Sequence, residues 1–149
     1  MKFIEIKAPA KINIGLNIIS KRSDGYHNLE TIFYPLYDLC DIIQIKKSNE
    51  FKFACDEKSL SCDDSNLIVR TVELLEEHTK QKFDVDIYLQ KNIPMGAGLG
   101  GGSSDAAATL ISLNEMFSLG LDQQTMLDLA LELGSDVPFF LKAKPKQSR

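Results

Sequence analysis

Pro94 to Ser104 reads PMGAGLGGGSS, and the fold turns on what this stretch joins. Five of the nine glycines in the chain fall between Gly96 and Gly102, more than a tight turn requires, since one or two residues with positive φ suffice there. Glycine has no β-carbon, so successive backbone N–H groups can converge into an anion-binding concavity, and a helix starting beside it adds the positive end of its dipole. A phosphate chain is the natural occupant. Ser103 and Ser104 stand where that helix is expected to begin, with hydroxyls suited to capping free N–H groups or to reaching a phosphate oxygen or its magnesium ion. Asp105 has two readings, a charge favourable to the helix dipole or a metal or substrate contact. A flexible glycine linker without a ligand is the plain alternative for the whole run. The spacing is not GxxxxGK[ST], whose lysine is missing, and no acidic partner follows at the distance a dinucleotide fold requires.

Outward from the loop, the periodicity is clear. Phe83 to Lys91 alternates through Val85, Ile87 and Leu89, which predicts a strand entering the loop, and Ser104 to Phe117 predicts a helix leaving it. Upstream, Phe3 to Ser20 alternates with Ile12, Ile14, Leu16 and Ile18 on one side, and Lys11 lies within it. KRSDGYH follows as a loop, then strands over Leu29 to Tyr37, Asp41 to Lys47 and Phe51 to Cys55. Asn66 to Lys80 changes to helical period, with Asp64 or Ser65 available as its N-cap. Gln123 to Leu133 is a further helix stopped by Gly134, and SDVPFFL reads as a turn entering a short strand. Early strands followed by late helices predict an α+β fold with helices on one face of a mixed sheet.

Composition narrows the function classes. The 149 residues are 44% hydrophobic and 26% charged, which suits one folded domain. Seventeen basic and 21 acidic side chains give a net charge of -4 and are interspersed, so no broad basic surface offers itself to nucleic acid. The basic cluster of Lys142, Lys144, Lys146 and Arg149 reads as a solvated tail. Cys40, Cys55 and Cys62 match neither a CxxC pair nor a zinc set, which fits a reducing compartment. No stretch reaches the ~18 apolar residues a bilayer crossing needs, and no signal or transit peptide is visible at the N-terminus. The cytoplasm is the expected location, or the plastid stroma for a plant protein.

Three stretches carry a resemblance in a fixed order: APAKINIGLNIISKRSDGYHNLET near the start, PMGAGLGGGSSDAAATL, and LGSDVPFFL near the end. Together they resemble the motifs of the GHMP kinases. The resemblance implies an ATP-dependent transfer of the γ-phosphoryl group to a hydroxyl of a cytidylated small-molecule substrate of non-mevalonate isoprenoid biosynthesis, with ATP and Mg²⁺ as cofactors. It implies that Pro94, Met95, Gly96, Ala97, Gly98, Leu99, Gly100, Gly101, Gly102, Ser103 and Ser104 bind the ATP. Asp136 of the GSDVP motif would accept the hydroxyl proton, and Lys11 of the PAK motif would lie beside it and stabilise charge. Tyr26 and His27 would recognise the cytidine, and Asn13, two residues from Lys11 on the same strand face, would point into the same cleft. Metal ligands are not assigned.

Members of the family are longer than this chain. The resemblance therefore implies an N-terminal, ATP-binding domain over residues 1–141, a basic tail over 142–149, and a missing second domain that completes the cleft. Little kinase activity is expected of such a half, together with self-association through the exposed domain-docking surface. The competing readings are another GHMP kinase, acting on homoserine, mevalonate or a sugar, and a non-catalytic sensor or interaction domain of the same fold.

Overall fold

The computed structural model describes residues 3–21, 27–143 and 145–148. Its elements run β1 (Phe3–Lys21), β2 (His27–Lys47), β3 (Lys52–Cys55), α1 (Leu67–Thr79), β4 (Val85–Gln90), α2 (Gly101–Met116), α3 (Gln123–Leu133), α4 (Val137–Ala143) and β5 (Lys146–Ser148). The strands form one sheet in the order β3-β4-β2-β1-β5. Three of its pairings are antiparallel, and β3 with β4 is parallel. That parallel pair needs a crossover, and α1 supplies it. The alternation read from the sequence decides which way each strand faces. Ile4, Ile6, Ala8, Ile43, Ile45, Val85, Ile87 and Leu89 are all buried beneath the helices. Phe3, Tyr88, Gln44, Lys46 and Asp86 line the opposite face, where Gln44 Nε2 donates to Glu5 Oε1 at 2.8 Å. Helices therefore cover one face of a mixed sheet, as expected.

Two strands expected over Leu29–Tyr37 and Asp41–Lys47 are one, β2, paired along its length with β1. The interruption between them is real but takes the form of a register shift. Pro9 lies opposite Cys40 while Ala10 lies opposite Leu36, so residues 37–39 loop out of the pairing. Proline has no N–H to give a ladder, and a bulge is where a strand can accept it. The loop expected over residues 22–26 lies outside the described residues.

Helix α2 is the centre of the molecule. Its middle, Ser104 to Leu110, is buried all round, and the run Ala106-Ala107-Ala108 lets the sheet and the flanking helices approach closely. α1 is capped by Asn66, whose side chain accepts from the Ile68 N–H at 2.8 Å, and not by Asp64 or Ser65. The stretch SDVPFFL gives a turn and then a helix, α4, where a strand was expected. Pro138 is the second helical residue, a position whose N–H has no intrahelical partner, so proline is tolerated there and ordinarily helps a helix start. Phe140 is fully buried from that helix, and Phe139 stacks edge-on to Phe33 at 5.3 Å. The basic stretch is also more structured than a solvated tail. Lys142 belongs to α4, and Lys146–Ser148 pairs with Glu5–Lys7 of β1.

Candidate active site

The loop joining β4 to α2 is exposed from Pro94 to Gly98 and turns inward at Leu99. Gly96, Gly98 and Gly100 have φ of 71°, 73° and 72°, alternate left-handed positions that bring intervening N–H groups to one side as an anion nest. Glycine is required most strictly where the loop meets the protein. A β-carbon on Gly100 would lie 2.8 Å from Phe140 Cζ and 3.0 Å from Lys11 Cγ, and one on Gly101 would lie 2.6 Å from Lys91 Nζ. Above this floor is a cleft of about 370 Å³, lined by Leu60, Leu67, Lys91 and the loop from Pro94 to Ser103. A roomier cleft of about 610 Å³ lies beside Ile111, Met126 and Leu141. It holds neither glycine loop nor paired acid and base, and the chemistry does not follow it.

Lys11 is buried at the loop's side. Its backbone N–H donates to Leu99 O at 2.9 Å, tying β1 to the loop. Its ammonium donates to Asn13 Oδ1 at 2.9 Å and sits 4.4 Å above the centre of the Phe33 ring. Lys11 and Asn13 thus share a face, as the two-residue period predicts. Asp136 is half-buried in the turn between α3 and α4, one helical turn before Phe140, whose ring packs on Gly100 and hence toward Lys11. The loop, Lys11 and Phe140 of α4 therefore meet around Gly100. Among the described residues, ion pairs join Lys91 to Asp41 and Asp105, Lys46 to Asp86 and Lys52 to Glu50, and none joins Lys11 to Asp136. The Lys11 ammonium is turned to Asn13 and Phe33, and the half-buried Asp136 carboxylate makes no hydrogen bond or ion pair among the described residues. Tyr26 lies outside the described residues. His27 pairs with Lys21 at the far end of the β1–β2 arm.

The serines do not cap α2. The helix begins at Gly101 with Gly100 as N-cap and no side-chain cap bond, because the loop's left-handed glycine already makes the turn. Ser104 Oγ is buried with no hydrogen-bond partner among the described residues, while Ser103 is half-buried at the cleft wall. Asp105 falls beyond the first turn and is not a dipole charge. It is buried, with Oδ2 accepting from Lys91 Nζ at 3.1 Å. Lys91 Nζ also donates to Asp41 Oδ2 at 2.7 Å, and Asp41 Oδ1 accepts from the N–H groups of Asn92 and Ile93 at 2.7 and 2.8 Å. Burial, then the hydrogen bond and charge of Asp41, push the Asp105 carboxyl well above the usual range, against the opposing pull of Lys91. Burial alone would depress the Lys91 ammonium, but the carboxylates of Asp105 and Asp41 outweigh it and the net movement is upward.

This triad was not singled out from the sequence, yet a signal for it exists. Lys91 continues the inward parity of Val85, Ile87 and Leu89, and Asp41 shares the inward parity of Ile43 and Ile45. A charge at a core position of each of two paired strands requires a partner. Among the described residues no group of three His, Cys, Asp or Glu side chains gathers about one point as a metal site.

The arrangement can cradle a phosphate chain at the head of α2, with Lys11 tied to the loop through Leu99. Residues 66–144, more than half of the chain, match the family described as GHMP kinases N terminal domain. The chain is 48% identical over 144 residues to the 4-diphosphocytidyl-2-C-methyl-D-erythritol kinase of Chlorobaculum tepidum, covering 97% of this chain and 50% of that protein. It is 49% identical over 142 residues to the kinase of the same name from Prochlorococcus marinus, covering 94% and 45%. It spans about half the length of the curated relatives it matches. A crystal structure of 4-(cytidine 5'-diphospho)-2C-methyl-D-erythritol kinase superposes with a TM-score of 0.77 at 40% identity, over 97% of this chain and 51% of that one. Homoserine kinase from Cytophaga hutchinsonii shares the fold, with a TM-score of 0.68 at 18% identity over 97% of this chain and 44% of that one. The chain belongs to the GHMP kinases.

Proposed function

We propose that these residues form the ATP-binding half of a kinase that phosphorylates a hydroxyl of 4-diphosphocytidyl-2-C-methyl-D-erythritol, the substrate in the names of the relatives above. The observation that carries the reading is the contact at Gly100, where the glycine loop packs on Lys11 and on Phe140 of the helix that follows Asp136. In the proposed reaction the substrate hydroxyl oxygen attacks the γ-phosphorus, a new O–P bond forms, and the bridge to the β-phosphate breaks to leave ADP. The hydroxyl proton passes to Asp136, and Lys11 offsets the charge that develops beside it. Asn13 holds the Lys11 ammonium in place. Tyr26 and His27 are proposed for the cytidine. With no three-carboxylate cluster among the described residues, a magnesium ion would be held chiefly by phosphate oxygens and water, as Mg²⁺ commonly is.

Chemistry of this kind depends on holding two substrates in line and excluding water, effects contributing roughly 7–11 kcal/mol to a barrier. The residues present line an open cleft, so the 149 residues alone are proposed to bind nucleotide and turn over slowly. Calorimetry with a non-hydrolysable ATP analogue tests the binding. No heat of binding at millimolar analogue would remove the nucleotide reading, and turnover matching a full-length relative would remove the claim of low activity.

On the face of the arm opposite Lys11 and Phe33, Ile14, Ile32 and Tyr34 are 42%, 48% and 54% exposed, paired as Ile14 with Ile32 and Ile12 with Tyr34. This apolar strip is proposed to drive self-association of the half-molecule, and a monodisperse monomer in sedimentation at high concentration would refute it. Among the described residues no helix is long and apolar enough to cross a membrane, and the cytoplasm is the proposed location.

A further inference from the structure

The path by which β4 becomes the phosphate loop is pinned at every step. The N–H of Lys91 donates to Asp56 Oδ1 at 2.8 Å, and those of Asn92 and Ile93 both donate to Asp41 Oδ1. Three consecutive amides thus end on carboxylates, and Asn92 Nδ2 adds a bond to Cys40 O at 2.9 Å, at the register shift of β2. From the same segment the Lys91 side chain runs inward under the loop. Its ammonium joins Asp41 on the sheet to Asp105 on α2 and lies 2.6 Å from the place a β-carbon on Gly101 would take.

We propose that Lys91 is a positioning residue for the phosphate loop: clamped between Asp41 and Asp105, it sets the height of the first turn of α2 above the sheet, and with it the aim of the loop's N–H groups. The proposal deepens the nucleotide-site reading and rests on it for the ligand.

Lys91 is not assigned a phosphate contact, since two carboxylates already meet its charge and its side chain is 7% exposed. Nor does stability explain it well. Buried ion pairs commonly return little more than apolar residues of the same volume would, and here one oxygen, Asp105 Oδ1, is buried without a hydrogen-bond partner among the described residues. What the charged cluster supplies, and an apolar one lacks, is direction. Two short bonds at fixed angles hold helix and sheet at one separation, where methyl groups would allow sliding.

Hydrogen exchange on the 149-residue chain tests this without ligand. Lys91→Met is expected to speed exchange of the amides from Gly96 to Ser104 by about tenfold or more, with those of Ile43, Ile45 and Ile87 unchanged. Asp105→Asn is expected to move the loop in the same direction by less, and it carries the test if the Met variant does not fold. Affinity for a non-hydrolysable ATP analogue should fall by about tenfold in Lys91→Met. Loop exchange unchanged in both variants, or raised equally throughout the chain, would overturn the proposal. If the wild-type chain binds no analogue, the nucleotide reading fails on that result, and the exchange pattern still decides whether Lys91 positions the loop.

Discussion

The underside and the open side of the glycine loop are built on opposite principles. Beneath it, Asp41 accepts three hydrogen bonds and Lys91 makes two ion pairs. To its side, the Lys11 ammonium has one neutral acceptor and one ring face, and Asp136, before α4, has no partner among the described residues. On the proposed reading the groups with bonds to spare are those that meet a ligand, and the ion-paired cluster beneath holds the loop still. Pre-organisation requires this division, because a reactive group can stay unpaired only where the scaffold around it does not move.

The largest effect should come from breaking the underside. Asp41→Ala leaves the Lys91 ammonium with Asp105 alone and removes the acceptor of the Asn92 and buried Ile93 amides, and loss of one partner of a buried pair costs about 3–5 kcal/mol. Urea unfolding should show a loss of that size. A loss below about 1 kcal/mol would mean that water replaces the carboxylate and that the underside is not rigid. The next largest concerns the junction between the two sides. Gly100→Ala drives a methyl group into Phe140 and Lys11, and overpacking of this kind costs about 1–3 kcal/mol in addition to the strain of a left-handed alanine. Gly96→Ala has the same positive φ but open space around it, so it should cost the strain alone. Equal losses at the two positions would remove the close packing from the account.

On the open side, Asp136→Asn should change stability by no more than about 0.5 kcal/mol, as for a site without structural partners. In a chain of the relatives' full length the same change should abolish turnover with little loss of binding. Undiminished turnover would exclude Asp136 from the chemistry. The smallest effect is in pH. The Asp105 carboxyl titrates above its unfolded value, so the folded chain takes up that proton at a higher pH than the unfolded chain does. Its contribution to stability is complete below the ordinary carboxylate range and is lost as pH rises through the raised folded value. Asp105→Asn should flatten that part of the stability profile. A profile identical to wild type would show that Asp105 ionises as freely in the folded chain as in the unfolded one.

Most of this contrast was legible in part. The glycine run, its strand and its helix followed from spacing and period, and the motif resemblance named Lys11 and Asp136. The underside was missed because Lys91 was read only as the end of a strand. Its parity with Leu89 marks it as inward, but its partners lie 50 residues back and 14 residues on, separations on which local pattern is silent. α4 was misread because Val-Pro suggests a break, whereas proline at the second position of a helix sacrifices no bond. The two halves of β2 were separated because a bulge and a strand end carry the same local signal, and only pairing with β1 distinguishes them.

The short strand β5 has a consequence for the molecule's connectivity. Ser148 lies opposite Glu5 and Lys146 opposite Lys7, so the last and first described strands run side by side along one edge of the sheet. Topologically the chain is almost a ring. A short linker from Ser148 to Phe3 would close it, and a new start could be cut in the exposed stretch of residues 80–82, which lines neither the glycine-loop cleft nor the Lys91 cluster. The order in which the elements are synthesised is thus separable from the site they assemble.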